Sequence, residues 1–183
     1  MTSWSLLPFA LVLLCSSSLC SLVCDLTQGL QEDFSLLNQM STFSLVPCLK
    51  DRTNFNFPKE AMESSQFQRE DATVIVHEML QQIFTLFSQN AAPAAWNQTQ
   101  LMQLLIGLDQ QMEQLERCLA QDVEWQDPSL GSENLKLALK NYFQGISQYL
   151  QGKEYSHCAW EVTRVEIRRC FLFMGKLSKK FKN

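Results

Sequence analysis

Apolar residues recur at three- and four-residue intervals through most of this chain, the pattern of amphipathic helices. Leu26, Leu30, Phe34, Leu37 and Met40 predict a first helix from Leu26 to Met40, with Gly29 as its weak point. Val76, Leu80, Ile83 and Phe87 predict a second from Asp71 to about Ser88. The cleanest stripe runs Leu101, Leu104, Leu105, Leu108, Met112, Leu115 and Leu119, predicting a helix from Asn97 to about Leu119. Gly107 sits inside it at a cost of about 1 kcal/mol against alanine. Leu135, Ala138, Leu139, Tyr142, Ile146 and Tyr149 predict a fourth helix to about Leu150, with Ser132 as its cap. The last helix runs from His157 to about Leu177, with Trp160, Thr163, Ile167, Cys170 or Phe171, and Met174 facing the core.

The connections set the topology. Ser41 to Glu70 carries Pro47, Pro58 and the breaker-rich run DRTNFNFP, so it reads as a crossover loop with a short helix near Lys59 to Phe67. Gln121 to Gly131, with Pro128, is a second long loop, whereas Gln89 to Ala95 and Gln151 to Ser156 are short. No repeat and no sustained period-two alternation occurs. The expectation is an all-α, up-up-down-down bundle of five main helices with a long first crossover.

Composition adds a location. Met1 to Val23 carries no charged side chain, and Leu6 to Leu14 is an apolar run too short to span a bilayer. It has the size of a signal-peptide core, followed by Ser16, Ser17, Ser18 and Ser21. We therefore expect a secretory signal over 1–23, cut somewhere in 20–23, and one helical domain over 24–183. No later segment reads as an anchor.

Secretion makes disulfides expected among Cys24, Cys48, Cys118, Cys158 and Cys170. Any of the five can be the odd one, with three pairings for each choice. Net charge is −4 but uneven: from Arg164 onward seven basic residues face Glu166 alone. Periodicity favours reading those cations as answering the helix dipole and nearby acids, although Arg interleaved with Val165 and Leu172 also suits an interface core.

Catalytic chemistry is poorly represented. His77-Glu78-Met79-Leu80-Gln81 begins like HExxH, but Gln81 stands where the second zinc ligand is needed. His157 and Cys158 are helix neighbours, pointing about 100° apart, and make a poor dyad. Glu32-Asp33 and Glu70-Asp71 read as first-turn or surface charge. No phosphate loop or nucleophile elbow occurs. No enzyme, metal or cofactor is expected, and no aromatic interleaving supports nucleic-acid binding. Asn97-Gln98-Thr99 is the single N-glycosylation sequon. The residues alone leave open a helical cytokine, whatever its receptor, and a secreted lipid carrier.

The stretch YFQGISQYLQGKEYSHCAW (Tyr142 to Trp160), continued by EVTRVEIRRC, resembles the type I interferons. So do CLKDR (Cys48 to Arg52), HEMLQQIF (His77 to Phe84), AAW (Ala94 to Trp96) and the beta-like WNQT (Trp96 to Thr99). The resemblance covers nearly the whole mature chain. It implies a monomeric five-helix cytokine beginning at Cys24, with bridges Cys24–Cys118 and Cys48–Cys158. Cys170 is then left as a buried thiol or an interchain link. Each bridge would close a loop of roughly 100 residues, for which chain entropy gives about 4–5 kcal/mol.

The resemblance also implies a two-chain cell-surface receptor, whose bridging would start JAK–STAT signalling. The high-affinity chain would meet Leu49, Arg52, Arg164, Val165, Arg168, Arg169 and Leu172. The low-affinity chain would meet His77, Glu78, Gln81, Phe84, Gln100, Leu105, Asp109 and Lys140. Leu105 and Asp109 stand where interferon alpha has tyrosines. Lys140 stands where it has an arginine, and lysine does not replace a planar guanidinium fork.

Overall fold

The computed structural model describes residues 26–62, 69–90, 92–121 and 130–180. These form six α-helices: α1 (Thr27–Gln39), α2 (Lys59–Met62), α3 (Arg69–Gln89), α4 (Gln98–Gln121), α5 (Leu130–Gly152) and α6 (His157–Lys180). A 3-10 segment, Val46–Asp51, lies between α1 and α2. Five of the helices are long and build an up-up-down-down bundle. α1 packs on α4 and α6, α3 packs on α4, α5 and α6, and α5 leans on α6. The described residues contain no strand.

The predicted stripes are the buried faces. Leu37, Leu80, Ile83, Leu104, Leu108, Leu139, Ile146, Trp160, Ile167 and Met174 are fully buried. Apolar side chains on one stripe of each helix leave water together, the main favourable contribution to folding. Trp160 stacks on Phe87 at a centroid distance of 5.9 Å and meets Trp96 edge-on at 5.5 Å. That triad joins the end of α3, the start of α4 and the first turn of α6.

Polar side chains fix where two helices begin. Asn97 Oδ1 accepts hydrogen bonds from the backbone N–H groups of Thr99 and Gln100, capping α4. Ser156 Oγ accepts from Ala159 N–H at the start of α6. Ser132, expected as the cap of α5, instead lies within that helix and is fully buried. Leu130 and Gly131 already hold helical backbone ahead of it, and its small side chain fits a packed site. The first helix carries a larger surprise. Asp33, read as surface charge, is buried between α1 and α4, and Asp71 is buried in the first turn of α3.

Candidate docking faces

The first face begins with a covalent staple. Cys48 and Cys158 are joined, with Cα atoms 5.0 Å apart across 110 residues of sequence. The bond holds the 3-10 segment against the first turn of α6. Pro47 in the opening turn of that segment pre-sets its backbone. Tyr149 Oη donates to the carbonyl of Asp51, and Lys153 Nζ pairs with Asp51 Oδ1 at 3.0 Å, so α5 and the turn after it secure the segment's far end. Burial, and after it the Asp51 charge, raises the Tyr149 hydroxyl pKa.

Between this segment and α6 lies an open groove of about 860 Å³, lined among others by Leu49, Arg52, Val165 and Arg169. Leu49 is 60% exposed and Leu172, one turn beyond Arg169 on α6, is 57% exposed. Exposed aliphatic groups beside guanidinium groups suit a protein interface. Glu166 orients Arg169: Nη1 donates to Glu166 Oε1, while the guanidinium carbon lies 6.0 Å from the Phe57 ring. Arg168 turns the other way, toward α1, with its guanidinium 5.7 Å from the Phe34 ring.

Arg164 does not belong on this surface. It is buried, and its Nε and Nη2 both donate to Glu161 Oε2, while Nη1 donates to the carbonyl of Leu37. The fully buried Glu161 also accepts from Ser41 Oγ and Trp96 Nε1 on its other oxygen. One carboxylate thus ties α6 to the end of α1 and to the α3–α4 turn. A buried charge persists only when paired and hydrogen-bonded, and the donors here come from three separate parts of the fold. Asn97 N–H donating to the Met40 carbonyl closes the same junction. Glu161 falls inside the EVTRVEIRRC stretch, which by itself gives no sign that the residue is buried. Its one signal in the sequence is the three-residue spacing to Arg164, repeated by Glu166 and Arg169.

The second face lies on α3 and α4. His77, Gln81 and Phe84 share one line on α3, and Leu105, Asp109 and Glu116 share one line on α4. His77 Nε2 and Glu116 Oε1, 3.0 Å apart, link the two lines. Gln81 and Asp109 are exposed, whereas Phe84 and Leu105 are half-buried against the core. Three expected members sit elsewhere. Glu78 is buried, accepting from Gln82 Nε2 on its own helix. Lys140, exposed on α5, is its ion-pair partner at 3.9 Å. Gln100 points back toward α1, its amide donating to Gln39 Oε1. The α3–α4 line is therefore contiguous, with Glu78 and Lys140 on its α5 side and Gln100 behind it.

Cys170 is free and fully buried. Its Sγ lies 3.7 Å from Tyr142 Oη, which donates to Glu166 Oε1 at 2.8 Å. Burial pushes the thiol up to about 12 and drives the Tyr142 hydroxyl pKa well above its ordinary value. Of the two expected states of Cys170, the packed sulfur supports the buried thiol over the interchain link. Cys118 is disulfide-bonded to a residue outside the described ones. Cys24 and the signal segment lie outside them as well. Among the described residues no His, Cys, Asp and Glu cluster could hold a metal ion, and no helix is long and apolar enough to cross a membrane.

A family model described as the interferon alpha/beta domain matches residues 22–181. Interferon alpha-2 of Equus caballus is 47% identical over 172 residues, covering 92% of this chain and 93% of that protein. Interferon alpha-16 of Homo sapiens is 46% identical over 181 residues, covering 97% and 95%. Interferon omega-1 of Equus caballus is 46% identical over 166 residues, covering 88% and 85%. The solved structure of zebrafish interferon 2 superposes with a TM-score of 0.72 at 24% identity, over 82% of this chain and 97% of that one, which speaks to the fold. The chain belongs to the interferon alpha/beta family, and is a helical cytokine of the kind that acts through cell-surface interferon receptors rather than an enzyme.

Proposed function

We propose that this cytokine is secreted after removal of residues 1–23 and works as a monomer that bridges two different receptor chains. One chain docks on the groove between the 3-10 segment and α6. The other docks on the α3–α4 line. Bringing the two together outside the cell brings their attached kinases together inside, which starts JAK–STAT signalling and an antiviral, antiproliferative response. The observation that carries this reading is the convergence of Leu49, Arg52, Val165 and Arg169 on one open groove, from two distant segments held by the Cys48–Cys158 bond. Leu172 extends that contact along α6. Arg168 acts at its edge beside Phe34, and Arg164 supports it from within.

On the second face Gln81, Phe84, Leu105 and Asp109 form the centre, His77 is set by Glu116, and Lys140 is set by Glu78. We assign Gln100 no direct contact. Cys24 is proposed as the partner of Cys118. Asn97 is proposed to carry a glycan: it is exposed, and the cap uses its carbonyl oxygen, leaving the amide nitrogen free for the sugar.

The test is surface plasmon resonance against each receptor ectodomain. Arg52→Ala and Arg169→Ala should weaken one chain by about 2 kcal/mol each and leave the other unchanged. Gln81→Ala with Phe84→Ala should do the reverse. Loss at both chains together, or at neither, defeats the two-face assignment.

A further inference from the structure

The carboxyl-terminal part of α6 carries charge that neither docking face uses. The chain is net negative, yet seven of its fifteen basic residues lie from Arg164 onward, against the single acid Glu166. The fold sorts these cations. Arg164 is buried on Glu161 and the half-buried Arg168 turns toward Phe34, so neither joins the outer line of the helix. Arg169 and Lys176, seven residues apart, share one line of α6, and Lys179 lies about one turn further on. Arg52 lines the same groove as Arg169. Among the described residues Arg52, Lys176 and Lys179 pair with no carboxylate, and all three are exposed.

From Arg169 to Lys179 the row of positive charge extends about 15 Å along the helix. Its composition changes on the way. Around Val165, Arg169 and Leu172 it is arginine and aliphatic, the chemistry of a protein contact. Beyond Leu172 it is lysine, which protein interfaces deplete. Lysines are flexible, hydrated point charges that meet anionic groups without fixed geometry. Neither Lys176 nor Lys179 lines the groove, and no aromatic residue stands between them to stack a base. The chemistry that fits is a flexible polymer bearing repeated anionic groups.

We propose that the outer line of α6, Arg169, Lys176 and Lys179 together with Arg52, binds a sulfated polysaccharide of the cell surface or matrix. Its site overlaps the groove at Arg52 and Arg169, so a long chain on the lysines covers part of the first docking face. Occupancy of one then opposes the other; this second half of the proposal rests on the receptor assignment above, whereas the binding itself does not. Binding is a polyelectrolyte effect: each neutralised sulfate releases a counterion, and affinity falls steeply with salt.

The experiment is titration of the full mature protein with heparin over a salt series, beside the double variant Lys176→Gln/Lys179→Gln. Both substitutions remain outside the assigned receptor contacts. The wild type should bind at low salt despite its acidic net charge. The double variant should bind roughly tenfold more weakly, with a log–log salt slope smaller by about 2, at unchanged circular dichroism and melting temperature. Heparin should also compete with the ectodomain that reads Arg52 and Arg169. No binding by the wild type, equal binding by the double variant, or equal binding of fully desulfated heparin each overturns the proposal. Binding to phosphatidylserine vesicles without binding to heparin overturns it too, and points to a lipid surface. Heparin binding without competition leaves the polysaccharide site standing and overturns its overlap with the groove.

Discussion

Asp33 lies directly against Gly107: a Cβ built on that glycine would overlap Asp33 Oδ1. The carboxyl of α1 occupies the space that a side chain on α4 would need, and Gln111, one turn along α4, donates its amide to Asp33 Oδ2. Gly29 returns the relationship, since a Cβ there would meet the Gln111 side chain at 3.1 Å. The two glycines that weaken their helices in isolation are what lets α1 and α4 close.

Gly107→Ala tests that contact. Alanine gains about 1 kcal/mol of helix propensity, but the buried carboxyl must move, and overpacking costs about 1–3 kcal/mol. The net outcome is a destabilised protein, read as a lower urea midpoint. A more stable variant would show that Asp33 relocates freely.

Asp33 also makes stability depend on pH. Burial, the largest cause, pushes its carboxyl from 3.8 up to about 7, against the opposing hydrogen bond from Gln111, and Glu32 adds to the rise. In the unfolded chain the proton leaves near the ordinary value, whereas the folded chain retains it. The contribution is therefore fully present below 3.8 and is lost as pH rises through about 7. Between these limits unfolding free energy from this group falls by up to about 1.4 kcal/mol per pH unit. Denaturant titrations from acid to neutral pH should show the slope in the wild type and its reduction in Asp33→Asn.

Arg164 and Arg169 separate support from contact. Arg164→Ala strands the Glu161 charge in the interior, and breaking a buried pair costs about 3–5 kcal/mol. Its melting temperature should drop sharply, and any loss of receptor binding should follow that drop. Arg169→Ala, on an exposed side chain, should leave the melting temperature nearly unchanged while binding weakens. Equal thermal effects would merge the two roles.

Cys170 should resist chemistry that finds exposed thiols. In native buffer a thiol reagent should label it only on the timescale of unfolding, and denaturant should make it react at once. Non-reducing electrophoresis of wild type and Cys170→Ser should show the same monomer band. Rapid native labelling would mean that the α5–α6 interface opens readily.

Helical periodicity is enough to place the five long helices, because apolar stripes report burial directly. Their ends lie close to the expected ones, the widest gaps being Lys180 against Leu177 and the start of α5, at Leu130 where Ser132 is expected as the cap. Burial of charge is hidden. Asp33, Glu78, Glu161 and Arg164 read as surface residues in a sequence because charged groups usually are, and most of their partners come from elsewhere in the fold. Gln100 shows a related limit, since its turn toward α1 depends on how α4 is set against that helix. For the proposed docking faces, residues on a single helix line can be grouped from the sequence, whereas the placing of Arg52 and Arg169 on one groove depends on the tertiary fold.

That staple determines when the loop becomes ordered. The 3-10 segment is fixed beside α6 during folding, so Leu49 and Arg52 would meet the proposed receptor chain already in position. Such preorganisation spares the complex the entropy of immobilising them each time a partner binds. More of the contact energy is then left over as affinity.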